Sequence, residues 1–154
     1  MPRGGRILIV ALIFLLALAI PVVSASIVIS EVMPNPIDGC SDCTEWVEIY
    51  NNGTPVNLTG FILDAGGKNI TLKGVIEDFI IITEDKSIFL AIWQINQSKI
   101  LNDTTSLNNS GDVVVLYNSS ELIEYITFPS FSSLDNQTYA RIPDTGNWTL
   151  CQTP

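Results

Sequence analysis

The chain has 154 residues, with 16 acidic and 7 basic side chains, no histidine and a formal net charge of −9. Two of the basic residues, Arg3 and Arg6, fall in the first 25 positions, so the remainder carries 5 basic against 16 acidic residues. A body this acidic repels phosphate backbones, which argues against direct binding of DNA or RNA. The remaining length suits one domain with a core and is too short for two.

The N-terminus has the three regions of a secretory signal peptide. Arg3 and Arg6 precede an unbroken apolar run at residues 7–20, and Pro21 is followed by the small residues Val23 and Ala25. We expect residues 1–25 to be a signal peptide and the domain to occupy residues 26–154. The alternative is an uncleaved anchor, because residues 7–25 are just long enough to cross a bilayer. Such an anchor would be the chain's only link to a membrane.

The rest of the chain has the pattern of short strands separated by turn residues. Val47 and Ile49 alternate with Trp46, Glu48 and Tyr50, so the two sets should face opposite sides of a sheet. Short, closely spaced strands favour an all-β sandwich over a helical or βαβ design. The predicted strands cover residues 27–32, 45–50, 56–64, 69–72, 79–83, 113–117, 122–128, 139–142 and 148–151.

One segment, residues 85–97, has helical spacing instead. Ile88, Ile92 and Ile95 recur at intervals of three or four, and Thr83 or Asp85 is a suitable N-cap. We predict one short helix that covers an open end of the sandwich. Its apolar stripe is interpreted as core rather than as a ligand site.

Nine Asn-x-Ser/Thr sequons follow the secretory N-terminus, where chance would give about two from this composition. A modified asparagine must lie on the surface and in a translocated compartment. The sequence therefore predicts an exported protein, secreted or on the cell surface, that carries many N-linked glycans. The acceptors are Asn52, Asn57, Asn69, Asn96, Asn102, Asn108, Asn118, Asn136 and Asn147.

Three cysteines allow one disulfide and leave one thiol in an oxidising compartment. We predict a Cys43–Cys151 bridge, with Cys40–Cys151 as the alternative. Closing a loop of about a hundred residues stabilises a fold by roughly 4–5 kcal/mol in the chain-entropy model. The spare cysteine would allow two copies to be coupled. A zinc site is not expected, because it lacks a fourth ligand.

No cofactor is expected, and Ca²⁺ is a weak candidate only. Asp38, Asp42 and Glu45 lie within eight residues, and clustered oxygen ligands in a loop suit this ion. The alternative is a hydrated acidic loop. Catalysis is not expected either, because the chain has no imidazole to act as a base or to activate a nucleophile.

An ordered series of blocks resembles the lamin tail domain in its prokaryotic secreted form. These blocks are ISEV at 29–32 with NP at 35–36, EWVEIYN at 45–51, VNLTG at 56–60, LNNSGD at 107–112, and RIPD at 141–144 before the final TP. The resemblance runs from about residue 27 to 154. It implies an immunoglobulin-like β-sandwich and no active site.

These observations predict a non-catalytic, glycosylated interaction or structural module of the cell surface or envelope. Its partners would be other cell-surface proteins or a second copy, reached through an unglycosylated face or a free sheet edge. Residues 27–32 and 45–50 are the candidate strands, because they contain no sequon, and ordinary pairing within the sandwich is the preferred alternative for both. The alternative, which rests on the resemblance alone, is an accessory binding subunit of a separate exported hydrolase or nuclease.

Overall fold

The computed structural model describes residues 27–36, 45–143 and 145–152. This part of the chain forms twelve strands, one α-helix and a single 3₁₀ turn at Gln97–Lys99. The helix is α1, Lys86–Ile92. The strands are β1 Ile27–Met33, β2 Trp46–Asn51, β3 Val56–Asn57, β4 Phe61–Ala65, β5 Lys68–Thr71, β6 Val75–Ile76, β7 Phe79–Thr83, β8 Ile100–Asn102, β9 Asp112–Asn118, β10 Glu121–Phe128, β11 Gln137–Arg141 and β12 Trp148–Gln152.

The strands form two main sheets and one small one. The six-stranded sheet has the order β12-β11-β1-β2-β7-β8, and the four-stranded sheet has the order β10-β9-β4-β5. Strands β3 and β6 pair separately, and β7–β8 is a parallel pair among antiparallel ones. This architecture confirms the predicted immunoglobulin-like β-sandwich with one short helix. In the described ranges no helix is long and apolar enough to span a bilayer.

The core lies between the two main sheets. Ile29, Val47 and Ile49 of the six-stranded sheet are fully buried in one cluster with Leu63 and Leu116 of the four-stranded sheet. Burying an aliphatic side chain of this size stabilises the fold by about 1.5–3 kcal/mol. The predicted alternation along β2 is therefore confirmed, since Val47 and Ile49 face inward.

Helix α1 packs on the outer face of the six-stranded sheet, and the prediction that it covers an open end is wrong. It begins after Asp85, whose carboxylate accepts hydrogen bonds from the Ser87 and Ile88 amides at 2.8 and 2.9 Å. Phe89 joins Trp46 in a second buried cluster with Met33, Ile81 and Ile100. Trp46 of β2 and Ile81 of β7 point outward and form an apolar area with Met33 and Ile100, and covering this area determines where the helix lies.

The predicted strand at residues 56–64 is two strands in different sheets. Gly60 has φ +94°, and the turn around it separates β3, which pairs with β6, from β4, which pairs with β9. Strands β6 and β8 were not predicted. Two or three residues are too few to show a periodicity.

Strands β1 and β2 offer no free edge, which confirms ordinary pairing within the sandwich and rules out the alternative that they pair with a partner strand. Strand β1 lies between β11 and β2, and β2 lies between β1 and β7. Their apolar alternation places them at the centre of the sheet, where the neighbouring strands satisfy both of their edges.

A polar link joins the two main sheets. Glu124 of β10 forms an ion pair with Arg141 of β11, and its second oxygen accepts a hydrogen bond from the Ile29 amide of β1 at 2.7 Å. The guanidinium of Arg141 also lies over the Trp148 ring, 5.3 Å from its centroid. One carboxylate thus connects three strands of the sandwich.

Candidate functional site

The nine sequon asparagines share one structural property, which is that every one of them is exposed. The other three asparagines of the chain, Asn35, Asn51 and Asn109, are buried or half-buried. The asparagines that belong to sequons are therefore the exposed ones, and those outside sequons are buried or half-buried. Exposure is what attachment of a bulky carbohydrate requires of its acceptor.

Hydrogen bonding explains why the other three asparagines are not exposed. The Asn51 amide nitrogen donates to the Thr54 carbonyl at 2.9 Å, and its oxygen accepts from the Gly53 amide at 3.1 Å. The Asn35 amide nitrogen donates to the Phe131 carbonyl at 2.9 Å, and its oxygen accepts from Asn109 at 3.1 Å. These side chains hold loops in place, because their donors and acceptors satisfy backbone groups.

Several sequon asparagines use only their oxygen in local turns. The side-chain oxygens of Asn57, Asn96 and Asn108 accept from the amide two residues later, at 3.0, 3.0 and 2.8 Å. This is the Asx-turn geometry. A glycan is carried by the nitrogen instead, so these turns are compatible with modification.

The sequon at Asn136 differs from the others. Asn136 itself is exposed and has φ +57°, but the hydroxyl residue of its motif, Thr138, is fully buried in β11. In the folded domain the asparagine of this sequon is therefore accessible to solvent, whereas its hydroxyl residue is not.

A groove of about 620 Å³ lies on the outer face of the six-stranded sheet. Glu31 and Glu48 line it and are direct partners in the β1–β2 register. The Ser30 hydroxyl donates to the Glu48 carboxylate at 2.7 Å. Like charges placed opposite each other across a strand pair repel, so this is an electrostatically strained point of the sheet.

Burial raises the pKa of both carboxyl groups of this pair. Desolvation is the main cause for Glu31, and the Thr138 hydroxyl opposes it. Desolvation also dominates for Glu48, where the hydrogen bond from Ser30 lowers the pKa and the charges of Glu31 and Asp78 raise it further. The pair can hold a proton above the usual range of a glutamate, but the residues that line the groove include no imidazole, lysine or thiol to complete a catalytic set.

The weak calcium candidate is only partly within the described residues. Glu45 is buried, and its carboxylate accepts a hydrogen bond from the Leu107 amide at 2.8 Å. Asp38 and Asp42 lie outside the described residues. In the described ranges no group of three or more Cys, Asp or Glu side chains is placed to hold a metal ion. Glu45 thus holds the loop before β9, a role its position in the sequence did not indicate.

The disulfide stays a prediction. Cys151 is half-buried on β12 and has no disulfide partner among the described residues. Cys40 and Cys43 lie outside the described residues. Residues 1–25, where the signal peptide is predicted, also lie outside them.

The fold and surface together define an immunoglobulin-like β-sandwich module. A family model described as Lamin Tail Domain matches residues 22–130. The chain belongs to the lamin tail domain family, which confirms the resemblance seen in its sequence blocks. The match ends before β11 and β12, which nevertheless complete the six-stranded sheet. No curated protein and no solved structure matches the chain.

Proposed function

We propose that this protein is an exported, N-glycosylated and non-catalytic lamin-tail-domain protein that acts as an interaction or structural module at the cell surface. The observation that carries the proposal is the exposure of all nine sequon asparagines, set against the burial of the three others. The nine motifs fall on every exposed asparagine of the described residues and on none of the others, although Asn102 also donates from its side-chain nitrogen to the Glu84 carbonyl at 2.9 Å. The predicted signal peptide supplies the route to a glycosylating compartment.

A non-catalytic role is favoured by the chemistry of the acidic groove on the outer face of the six-stranded sheet. The Glu31–Glu48 pair lies in an open groove beside Ser30, Tyr50 and Asn52. Ser30 donates to the Glu48 carboxylate, and the residues that line the groove include no imidazole or lysine to activate this hydroxyl as a nucleophile. Binding therefore suits this surface better than bond cleavage.

The test is to recover the full chain from cells that secrete and N-glycosylate, and to measure its intact mass before and after glycan removal. We expect a loss of mass on deglycosylation, an N-terminus at Ser26, and sugars mapped to several of the nine sites. A variant with all nine acceptors changed to Gln is the control and should show no loss. Recovery of the chain from the cytosol, bare and starting at Met1, would refute the proposal.

The partner class is tested by cross-linking the native protein in its envelope. Envelope structural proteins or a second copy among the cross-linked products would support the structural module. A hydrolase or nuclease as the main product would instead establish the accessory-subunit alternative.

A further inference from the structure

Within the described residues, the two main sheets end in four strands that have a neighbour on one side only: β12, β8, β10 and β5. Such an edge presents unpaired N–H and C=O groups to any other extended chain. Proteins protect these edges with very short strands, lysines, bulges or charges turned inward. The four edges of this sandwich differ in how far their own residues provide such protection.

Three of the edges are protected by their own residues. Strand β8 has three residues, and the Lys86 ammonium lies 3.4 Å from the Ile100 carbonyl. Strand β5 has four residues and begins with Lys68. Strand β10 is longer, but its register with β9 shifts between Leu122 and Glu124, and Glu124 turns inward to Arg141.

Strand β12 has none of these devices. Its five residues, Trp148–Gln152, contain no charge and no proline, and they pair with β11 at five consecutive positions without a shift. Leu150 is 45% exposed on this strand. An uncharged, regular edge of this kind is self-complementary, because a second copy related by a two-fold axis presents the same residues.

A sequon lies at the start of this edge. Asn147 is exposed and immediately precedes Trp148, the first residue of β12. The Asn147 carbonyl accepts a hydrogen bond from the Ile142 amide at 2.7 Å. This bond closes the β11–β12 turn and holds Asn147, the predicted glycan attachment residue, beside the edge of β12. Thr149, the hydroxyl residue of the same motif, lies within β12 itself.

We propose that a glycan on Asn147 prevents a second copy of the chain from pairing along β12. The inference rests on the proposed function, since it requires the acceptor to be modified. The carbohydrate would block strand pairing sterically at an edge that has no charge or bulge to prevent it. Its loss would let the six-stranded sheets of two molecules join edge to edge.

The test compares secreted, glycosylated full-length variants by light scattering in the presence of a reductant, which removes any disulfide through Cys151. Asn147→Gln and Thr149→Val both abolish the sequon, and the second keeps a β-branched residue in the strand. Both should at least double the apparent mass as concentration rises. Thr149→Ser retains the sequon and should stay monomeric.

Two further variants test whether self-association depends on the Asn147 sequon and on the β12 edge in particular. Asn96→Asp removes a distant sequon and keeps the oxygen that accepts from the Ser98 amide, so it should stay monomeric. Adding Leu150→Lys to Asn147→Gln supplies an edge charge and should restore the monomer. Monomeric Asn147→Gln and Thr149→Val at every concentration would overturn the proposal, as would a bare Asn147 in a monomeric wild type. If the other eight sites are then found occupied, the proposed function survives this failure.

Discussion

At the scale of single residues, the chain combines well-satisfied polar groups with one strained pair. Asn35, Asn51 and Glu45 each satisfy backbone groups of loops far from them in sequence. Glu31 and Glu48 are instead held opposite each other, partly desolvated and with a raised pKa. The first group stabilises loops, and the second costs stability when both members are ionised.

The strained pair predicts how stability depends on pH. Burial holds the pKa of Glu48 in the folded protein above that of an ordinary glutamate, so the folded state binds the proton more tightly than the unfolded chain does. The free energy of unfolding therefore rises as pH falls through this range and is lower at pH 7. Glu48→Gln keeps the acceptor for Ser30 and should raise stability at pH 7 by roughly 0.5–1 kcal/mol.

This advantage should shrink as the pH approaches 4.5, which urea unfolding at several pH values would measure. Glu121→Gln, at an exposed position that starts β10, is the matched control and should change stability little at any pH. A Glu48→Gln variant less stable than wild type at pH 7 would contradict the assignment of strain to this pair.

At the scale of elements, the turn of the β4–β5 hairpin requires glycine, because of its backbone conformation and its close packing. Gly66 and Gly67 connect the strands with φ +65° and +77°, as expected for a two-residue turn with both central residues left-handed. A Cβ added to Gly66 would overlap the Ser106 carbonyl, whereas nothing lies within 4 Å of a Cβ added to Gly67. The loop before β9 therefore packs directly against one of the two glycines.

Two alanine substitutions separate backbone strain from this close packing. Gly67→Ala should cost about 1–2 kcal/mol, the penalty for a left-handed residue with a Cβ. Gly66→Ala adds an overlap with backbone and should cost about 3–5 kcal/mol. Chemical denaturation of the two variants measures the difference, and equal costs would show that the Ser106 loop moves away freely.

At the scale of the whole molecule, the two sheets are held together by the apolar core and by the Glu124 link. The carboxylate of Glu124 contacts β1 and β11 from the opposite sheet, at residues 95 and 17 positions away. Both partners of the ion pair are largely buried, with side-chain exposures of 23% for Arg141 and 17% for Glu124. Removing one partner leaves the other without compensation.

We expect Glu124→Ala to lower the free energy of unfolding by about 2–4 kcal/mol, because it leaves the Arg141 guanidinium and the Ile29 amide unpaired. Glu124→Gln still accepts from Ile29 and should lose less. A double-mutant cycle with Arg141→Met isolates the pair. A coupling energy near zero would show that the apolar core alone joins the sheets.

The sequence by itself determined the features that depend on neighbouring residues. The strand periods and the Gly66-Gly67 turn follow from local chemistry, which also narrowed the helix cap to Thr83 or Asp85. The family blocks identified the sandwich. Sequon spacing likewise separated nine asparagines from Asn35, Asn51 and Asn109, and the structure places the two groups in different environments.

Only the tertiary structure decided which strands are interior and which have free edges. It also decided that Thr138 is buried, that Glu31 faces Glu48, and that Glu124 meets Arg141. Helix α1 begins where it was predicted, but it ends at Ile92 rather than at Gln97 and packs on a different part of the sandwich. These features depend on the pairing and register of segments far apart in sequence, and a strand's period is the same whether it lies at an edge or in the centre.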